Sequence, residues 1–447
     1  MSDSKIPVAS IQLAAHDLRE FEARLPNILT QIARAAASGA RLVVIPEGSV
    51  PAYVIGKERV DANVVSGALA RIAELAARYR TTVVCGHAQR EGDLTFNAAT
   101  VFGPDGSVLG RTEKQLLWHF DVRSYARGRD LVPIGSPAGR LGVLICADGR
   151  LPTLARTLVE RGAEILVVPT AWVTSGRDPD ALENVQADVM INVRARENGV
   201  PLVAANKVGV ERGAVAYCGK SAIVDASGEF LARGNERDET ILFADVELGA
   251  RRFASPPPLA TPPATAARRA TARIAISAER DPAGLAALAS FARFADADAL
   301  VAPVRPGNVP AGLMIFAVER FDAYIYAGEV LVATVRDATV LDPAGLVEAR
   351  LAGADIFVWQ SALEPRWQLA FARTRAAELR AYVVVLPDAG DRAFAVDPDG
   401  TVVCGTYADY RVAAFGYERA KAAVTTVAPH TDVFEGLRAV QALRTHA

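Results

Sequence analysis

Apolar positions between residues 6 and 250 follow two alternating rhythms. VASIQL is a short β-rich run, residues Phe21 to Ser38 repeat apolar side chains at helical spacing, and ARLVVIP is a compact apolar run halted by a proline. The cycle then returns. A helical stretch from Val65 to Arg80 leads into TTVVCGH, and the runs NAATVF and SVLGRTEK, joined by the turn GPDG, predict a hairpin. GRLGVLIC, a helix from Pro152 to Arg161 and the run EILVVP complete the series. Such alternation buries apolar faces most simply by packing helices on a sheet, so the pattern predicts an α/β fold.

Residues 254 to 270, ASPPPLATPPATAARRA, break the rhythm, because proline lacks an amide donor and fixes φ. The break predicts a domain of residues 1–253, a linker at 254–270 and a second domain at 271–447. A chain of 447 residues also exceeds the size at which one core usually stops growing. Beyond the linker the first plan returns in the same order. RLVVIPEG at 41–48 resembles ALVAPVRP at 299–306 once one position is skipped, and GAEILVVP at 162–169 matches GADIFVWQ at 353–360. RARENGVPLV at 194–203 matches RAAELRAYVV at 375–384, and IVDASGE at 223–229 matches AVDPDGT at 395–401.

Composition narrows the partners. A net charge of -2 gives no global field that would favour nucleic acid or an anionic membrane, and small neutral molecules fit better. No stretch offers the roughly 18 unbroken apolar residues that span a bilayer, and the N-terminus lacks a basic segment followed by an apolar run, so the expected location is the cytoplasm. Cys85, Cys146, Cys218 and Cys404 are scattered with no C-x-x-C pair, which argues against a disulfide framework or a zinc site.

Three runs end in polar residues where buried strands emerge, the place where α/β proteins expose reactive groups. They are Glu47 after LVVIP, Lys114 after VLGRTE and Cys146 after LGVLI. A cysteine nucleophile needs a base to deprotonate it and a fixed positive charge for the oxyanion it creates. Glu, Lys and Cys supply these functions together.

The segments resemble the signature motifs of the nitrilase superfamily of carbon-nitrogen hydrolases. PEG at 46–48, GRTEK at 110–114 and CADGRLP at 146–152 carry the likeness, supported by FN at 96–97, PDG at 104–106, Pro169 to Trp172, RAREN at 194–198 and AN at 205–206. The resemblance covers about residues 6 to 250 and implies a four-layer αββα sandwich, with a smaller degenerate copy following. It implies Glu47 as general base, Cys146 as nucleophile, and Lys114 with the backbone N–H of Ala147 as oxyanion donors. Attack by Cys146 would expel ammonia or an amine from a small amide or carbamoyl-amide, and water would hydrolyse the thioester, with no metal or organic cofactor. Nitrile hydrolysis and acyl transfer to an amine are alternatives within the family, and a catalytically inactive binding protein is an alternative of another class.

Departures from the family pattern mark the pocket. Asp121 stands seven residues after Lys114, where a glutamate is common, and is one methylene shorter; Leu116 replaces a common histidine. Ala147 replaces a bulkier residue beside the nucleophile, which is expected to widen or reshape the pocket, and Thr153 replaces a glutamate. Asp121, Trp172 and Tyr53 are candidate substrate-binding or auxiliary residues. Asp148 is expected to be a structural ion-pair partner, and Arg194 with Glu197 an intrahelical or interface salt bridge rather than a substrate contact. His87 and His119 have no partner motif and are expected to be ordinary polar residues, and the other three cysteines are expected to be packing or exposed thiols.

Alignment across the linker pairs Cys146 with Asp337 and Pro46-Glu47 with Pro303-Val304, and leaves few residues for the lysine hairpin. The second copy is therefore expected to be inert. An isologous interface can be satisfied by any fold-alike partner, so it is expected to dock on the catalytic domain as a built-in pseudo-subunit, with further homo-oligomerisation possible in principle.

Overall fold

The computed structural model describes residues 5–56, 58, 60–178, 180–249, 269–318, 323–327 and 330–445. Residues 254–268 of the expected linker lie outside this set. The chain divides into two compact units, one of residues 1–253 with 428–432 and 438–447, the other of 254–427 with 433–437. No helix among the described residues is long and apolar enough to cross a membrane.

In the first unit, the strands β1 (Lys5–Ala14), β2 (Leu42–Val44), β3 (Thr82–Glu91), β4 (Leu94–Phe102) and β5 (Val108–Glu113) come first. They are followed by β6 (Ile134–Ser136), β7 (Gly139–Val143), β8 (Ile165–Pro169), β9 (Leu202–Ala205) and β10 (Lys207–Glu211). The series closes with β11 (Val215–Cys218), β12 (Ala222–Val224), β13 (Phe230–Arg233) and β14 (Thr240–Glu247). One mixed sheet runs β11-β10-β1-β2-β3-β4-β5 with β14 also paired to β1; the other runs β13-β12-β9-β8-β7-β6.

Helices cover both sheets. Helix α1 (Phe21–Ala37) buries Phe21, Leu25, Ile28, Leu29 and Ile32, a stripe at three- and four-residue spacing, against β1 and β2. Helix α2 (Ala62–Tyr79) begins where the Asp61 side chain accepts from the Asn63 amide at 2.8 Å, and its Val65, Ala68, Ile72 and Ala76 turn inward toward β3. Each fully buried large apolar side chain on these faces contributes about 1.5–3 kcal/mol. Helices α3 (Pro152–Glu160) and α4 (Ile191–Asn198) pack on β7 and on β9 and β12. The sheets meet where β2 and β3 contact β8 and β9, which gives four layers, helix, sheet, sheet, helix.

One element differs from the sequence reading. TTVVCGH is only the start of β3, which continues to Glu91 and pairs with β4 from Val83↔Phe102 to Glu91↔Leu94. The polar residues Gln89 to Asp93 carry no apolar alternation, because backbone pairing rather than burial extends the hairpin there.

In the second unit, β15 (Thr271–Ile276), α5 (Pro282–Phe294), β16 (Ala299–Ala302) and β17 (Met314–Ala317) lead to β18 (Ala323–Ala327) and β19 (Val330–Val335). Then come α6 (Asp337–Leu341), α7 (Pro343–Leu351), β20 (Ile356–Ser361), α8 (Pro365–Leu379), β21 (Tyr382–Pro387), β22 (Phe394–Val396), β23 (Val402–Gly405) and β24 (Ala413–Glu418). The sheets run β17-β16-β15-β24 and β18-β19-β20-β21-β22-β23. Along the six-stranded sheet the neighbour pairs are antiparallel, parallel, parallel, antiparallel and antiparallel, the same succession as along β6-β7-β8-β9-β12-β13.

Candidate active site

Three chain segments leaving strands of the first unit carry the site. The parallel strands β2 and β7 deliver Glu47 and Cys146 just beyond their C-terminal ends, and β5 delivers Lys114. The turn at Glu47 depends on glycine. A Cβ on Gly86 of β3 would lie 2.5 Å from the Pro46 carbonyl oxygen and 2.6 Å from Glu47 Cα, so only glycine lets β3 pass this close. Gly48 adopts φ +55°, and a Cβ there would meet Tyr53 Cα at 2.5 Å.

Glu47 and Lys114 are completely buried. Lys114 Nζ donates to Glu47 Oε1 and to Asp121 Oδ2, each at 2.7 Å, and Asn97 Nδ2 donates to Glu47 Oε1 at 2.6 Å. The shorter Asp121 therefore reaches the lysine. It does so because the turn at 119–123 folds back on its own start: the Trp118 amide donates to Asp121 Oδ2 at 2.9 Å and the Tyr125 amide to the Asp121 carbonyl at 2.7 Å. Burial opposes the charge on Lys114, but Asp121 and Glu47 outweigh it and hold the ammonium well above its ordinary range. Burial raises the Glu47 carboxyl above its usual value, against the pull of Lys114. Its Oε2 is left without a hydrogen-bond partner, and the Cys146 thiol lies near enough to lower the proton affinity of the same carboxyl.

Cys146 sits at φ +50°, a conformation that side-chain-bearing residues seldom adopt, at the start of the turn Cys146–Arg150. Burial, and then the Glu47 carboxylate, push its thiol up, while Lys114 pulls it down. The nucleophile candidate is therefore a neutral thiol at rest, beside a carboxylate able to take its proton. Ala147, the expected backbone oxyanion donor, is buried next to it.

Asp148 behaves differently from the expected ion-pair partner. Its Oδ1 accepts from the Gln115 and Leu116 amides at 2.9 and 2.7 Å, and its Oδ2 from the Ile145 amide at 3.0 Å. It ties the lysine segment to the cysteine segment through backbone donors, which satisfy a buried carboxylate without a second charge. Burial still pushes its carboxyl up to about 7.

Tyr53 is buried, with its ring centroid 5.4 Å from Lys114 Nζ. It packs with Phe120 at 5.4 Å and Tyr217 at 6.4 Å between ring centroids, beside Ala171. Trp172 is buried with its Nε1 unpartnered. Arg194 and Glu197 form the expected intrahelical pair at 2.6 Å. His87 is fully buried on β3 and bonds Thr100 Oγ1 at 2.7 Å, so it is a core residue rather than an ordinary polar one. His119 is half-buried in the turn that carries Asp121. Cys85 and Cys218 are buried thiols and Cys404 is partly buried. Among the described residues no group of three or more His, Cys, Asp or Glu side chains gathers as a metal set.

Nothing in the sequence marks a role for Asn97, although FN at 96–97 is part of the resemblance. Asn97 also accepts the Lys114 amide through its own carbonyl at 2.8 Å, so one residue of β4 holds both partners of the ion pair.

Fold and site together define the class, an α/β enzyme of the hydrolase type. Residues 7–254 match the family model for carbon-nitrogen hydrolases, more than half of the chain, and the chain belongs to that family. The omega-amidase NIT2 of Danio rerio is 28% identical over 55% of this chain and 89% of its own length. The N-carbamoylputrescine amidase of Oryza sativa subsp. japonica is 26% identical over 55% of this chain and 87% of its own. Among solved structures, an amidase from Nesterenkonia sp. superposes with a TM-score of 0.51 at 26% identity, covering 55% of this chain and 92% of that one. A mutant of the Nesterenkonia sp. AN1 amidase, at the same score and coverage, carries the acetamide moiety of fluoroacetamide on its active-site cysteine.

Proposed function

We propose that the first unit hydrolyses a non-peptide carbon-nitrogen bond of a small amide or carbamoyl-amide through a thioester on Cys146. The observation that carries this reading is the completely buried Lys114, bonded to Glu47 and Asp121 at 2.7 Å each, beside an uncharged thiol. A buried ammonium held by two carboxylates is costly unless its charge is used, and an oxyanion is what it would meet here. Amidases among the relatives support the substrate class.

In this mechanism Glu47 takes the thiol proton as sulfur attacks the carbonyl carbon, and Lys114 with the Ala147 N–H receives the negative oxygen. The proton passes from Glu47 to the leaving nitrogen, which departs as ammonia or an amine. Water then gives a proton to Glu47, attacks the thioester and releases the acid, and the proton returns to sulfur. The raised proton affinity of Glu47 suits it to this shuttle.

The second unit is, in the same proposal, a degenerate and non-catalytic copy. Its strand succession supports this, as do local details at aligned positions. Arg375 bonds Glu378 at 2.5 Å and the Val340 carbonyl at 2.9 Å, as Arg194 bonds Glu197 at 2.6 Å and the Gly149 carbonyl at 2.9 Å. The turns after β12 and β22 are each closed by an aspartate, Asp225 and Asp397, accepting amides two and four residues on. At the place aligned with Cys146, Asp337 is fully engaged: Oδ1 accepts from Trp359 Nε1 and Ser361 Oγ, and Oδ2 from the Ala362 amide.

The test is ammonia release from a panel of amides, ureas and nitriles by the full chain, with Cys146→Ala as control. A covalent adduct on Cys146 by intact mass, and its loss in the variant, supports the thioester route. Amide turnover that survives Cys146→Ala overturns it, and release from nitriles alone favours the nitrilase reading.

A further inference from the structure

A second buried ion pair stands on β10, outside the acid, lysine and cysteine. Lys207 and Glu211 are four residues apart on one strand, hence on one face, and are 1% and 0% exposed. Lys207 Nζ donates to the Gly48 carbonyl at 3.0 Å and to Glu211 Oε2 at 3.3 Å. Glu211 Oε1 accepts the Val54 amide at 2.6 Å, and Oε2 accepts the Tyr217 hydroxyl at 2.6 Å. The pair thus grips both ends of the segment 48–54, the first of them adjoining Glu47.

Two further bonds fix the middle of this segment. His16 Nε2 bonds the Pro51 carbonyl at 2.8 Å, and the Tyr125 hydroxyl donates to the Tyr53 carbonyl at 3.0 Å. The ring of Tyr53 then stands 5.4 Å from Lys114 Nζ and 5.9 Å from Lys207 Nζ, so one aromatic face system contacts both buried ammonium groups. Burying a lysine and a glutamate costs desolvation that an aliphatic pair would avoid, and one bond from each, Lys207 to the Gly48 carbonyl and the Val54 amide to Glu211, falls on the segment that follows the base. Lys207 is committed to Gly48 and Glu211, so its reach ends at the backbone rather than at a substrate.

The geometry points to Lys207 and Glu211 as a positioning pair: through the segment 48–54 they hold the Glu47 carboxylate in register with the Cys146 thiol. This rests on Glu47 acting as base toward Cys146. Charge-assisted bonds from Lys207 to Gly48 and from Val54 to Glu211 restrict the segment more tightly than neutral bonds would. A small displacement of a catalytic group costs rate much more than it costs binding.

The experiment uses the full chain, with butyramide hydrolysis as one readout and alkylation of Cys146 by iodoacetamide across pH 6–10 as the other. Lys207→Met is expected to lower kcat about 10- to 100-fold with KM within about twofold, and to slow Cys146 alkylation at neutral pH by a similar factor. Lys207→Arg, which keeps the charge and a donor to Gly48, is expected to recover most of both. Glu211→Gln retains an acceptor for Val54 and Tyr217 but loses the charge, and is expected to fall between, which keeps the test open if the methionine variant fails to fold. A folded Lys207→Met with unchanged kcat and alkylation overturns the inference. So does a loss in Lys207→Met that tracks its thermal midpoint and is not recovered by arginine. If the unaltered chain leaves butyramide intact, the substrate assignment fails, while the alkylation series still decides the role of Lys207.

Discussion

Asp121 Oδ2 accepts a 2.7 Å hydrogen bond from Lys114 Nζ across a gap that the sequence, with aspartate in place of glutamate, left open. The turn brings Trp118 N to the same oxygen at 2.9 Å, so the backbone and the ammonium hold the carboxylate together. Asp121→Asn removes the charge that does most to keep Lys114 protonated against burial. Expected is a fall in kcat of about 100-fold, the size found when an oxyanion donor is lost, with a folded protein by circular dichroism. Activity within about twofold of the unaltered chain would show that Glu47 alone suffices.

Asn97 holds Glu47 Oε1 at 2.6 Å from the neighbouring strand β4. Asn97→Leu removes this donor without opening a cavity, and a bond to a charged group is worth about 1.5–3 kcal/mol. A kcat lowered about tenfold or more is expected, with KM little changed. Steady-state ammonia release on one amide checks both.

The acid limb of stability carries a signature from His87, whose imidazole burial lowers from 6.5 to about 4. The sign follows from proton uptake. Between pH 6.5 and 4 the unfolded chain protonates this histidine and the folded chain does not, so acidification favours unfolding by about 1.4 kcal/mol per pH unit from this group. Above pH 6.5 the contribution is fully present and constant. His87→Gln is expected to flatten the stability profile in that window relative to the unaltered chain, as read by urea midpoints from pH 4 to 8.

The three bonds to Asp337 make it a structural residue of the second unit. Asp337→Ala orphans the Trp359 indole N–H and is expected to lower the thermal midpoint while leaving amide turnover within about twofold. Differential scanning calorimetry beside the ammonia assay separates the two effects. A loss of turnover without loss of stability would give the second unit a catalytic role.

Ala147, buried beside Cys146, is proposed to border the acyl side of the substrate. Ala147→Tyr is expected to lower rates on bulky amides more than on acetamide. Equal relative rates across a size series would show that position 147 does not border the acyl group.

The sequence made the three central residues legible because each ends a buried run and each lies in an ordered motif. The runs repeated in the same order are what the proposal of a second, degenerate copy starts from. What the sequence hid are pairings across strands. Asn97 could not be linked to Glu47, nor Lys207 to Gly48, because those partners are 50 and 159 residues apart and depend on strand order. The role of Asp148 is hidden for a related reason: its partners are backbone amides, which almost every residue carries and no motif marks.

The left-handed backbone at Cys146 has a consequence for descent. Asp337, its aligned counterpart, opens the ordinary right-handed helix α6, and no positive φ occurs there. Restoring a thiol to the second unit by codon change would therefore present it from a main chain of the wrong hand. On the proposal that the second unit is a degenerate copy, its inertness rests on main chain as well as side chain, and reversal would require reshaping the peptide path before any side chain could matter.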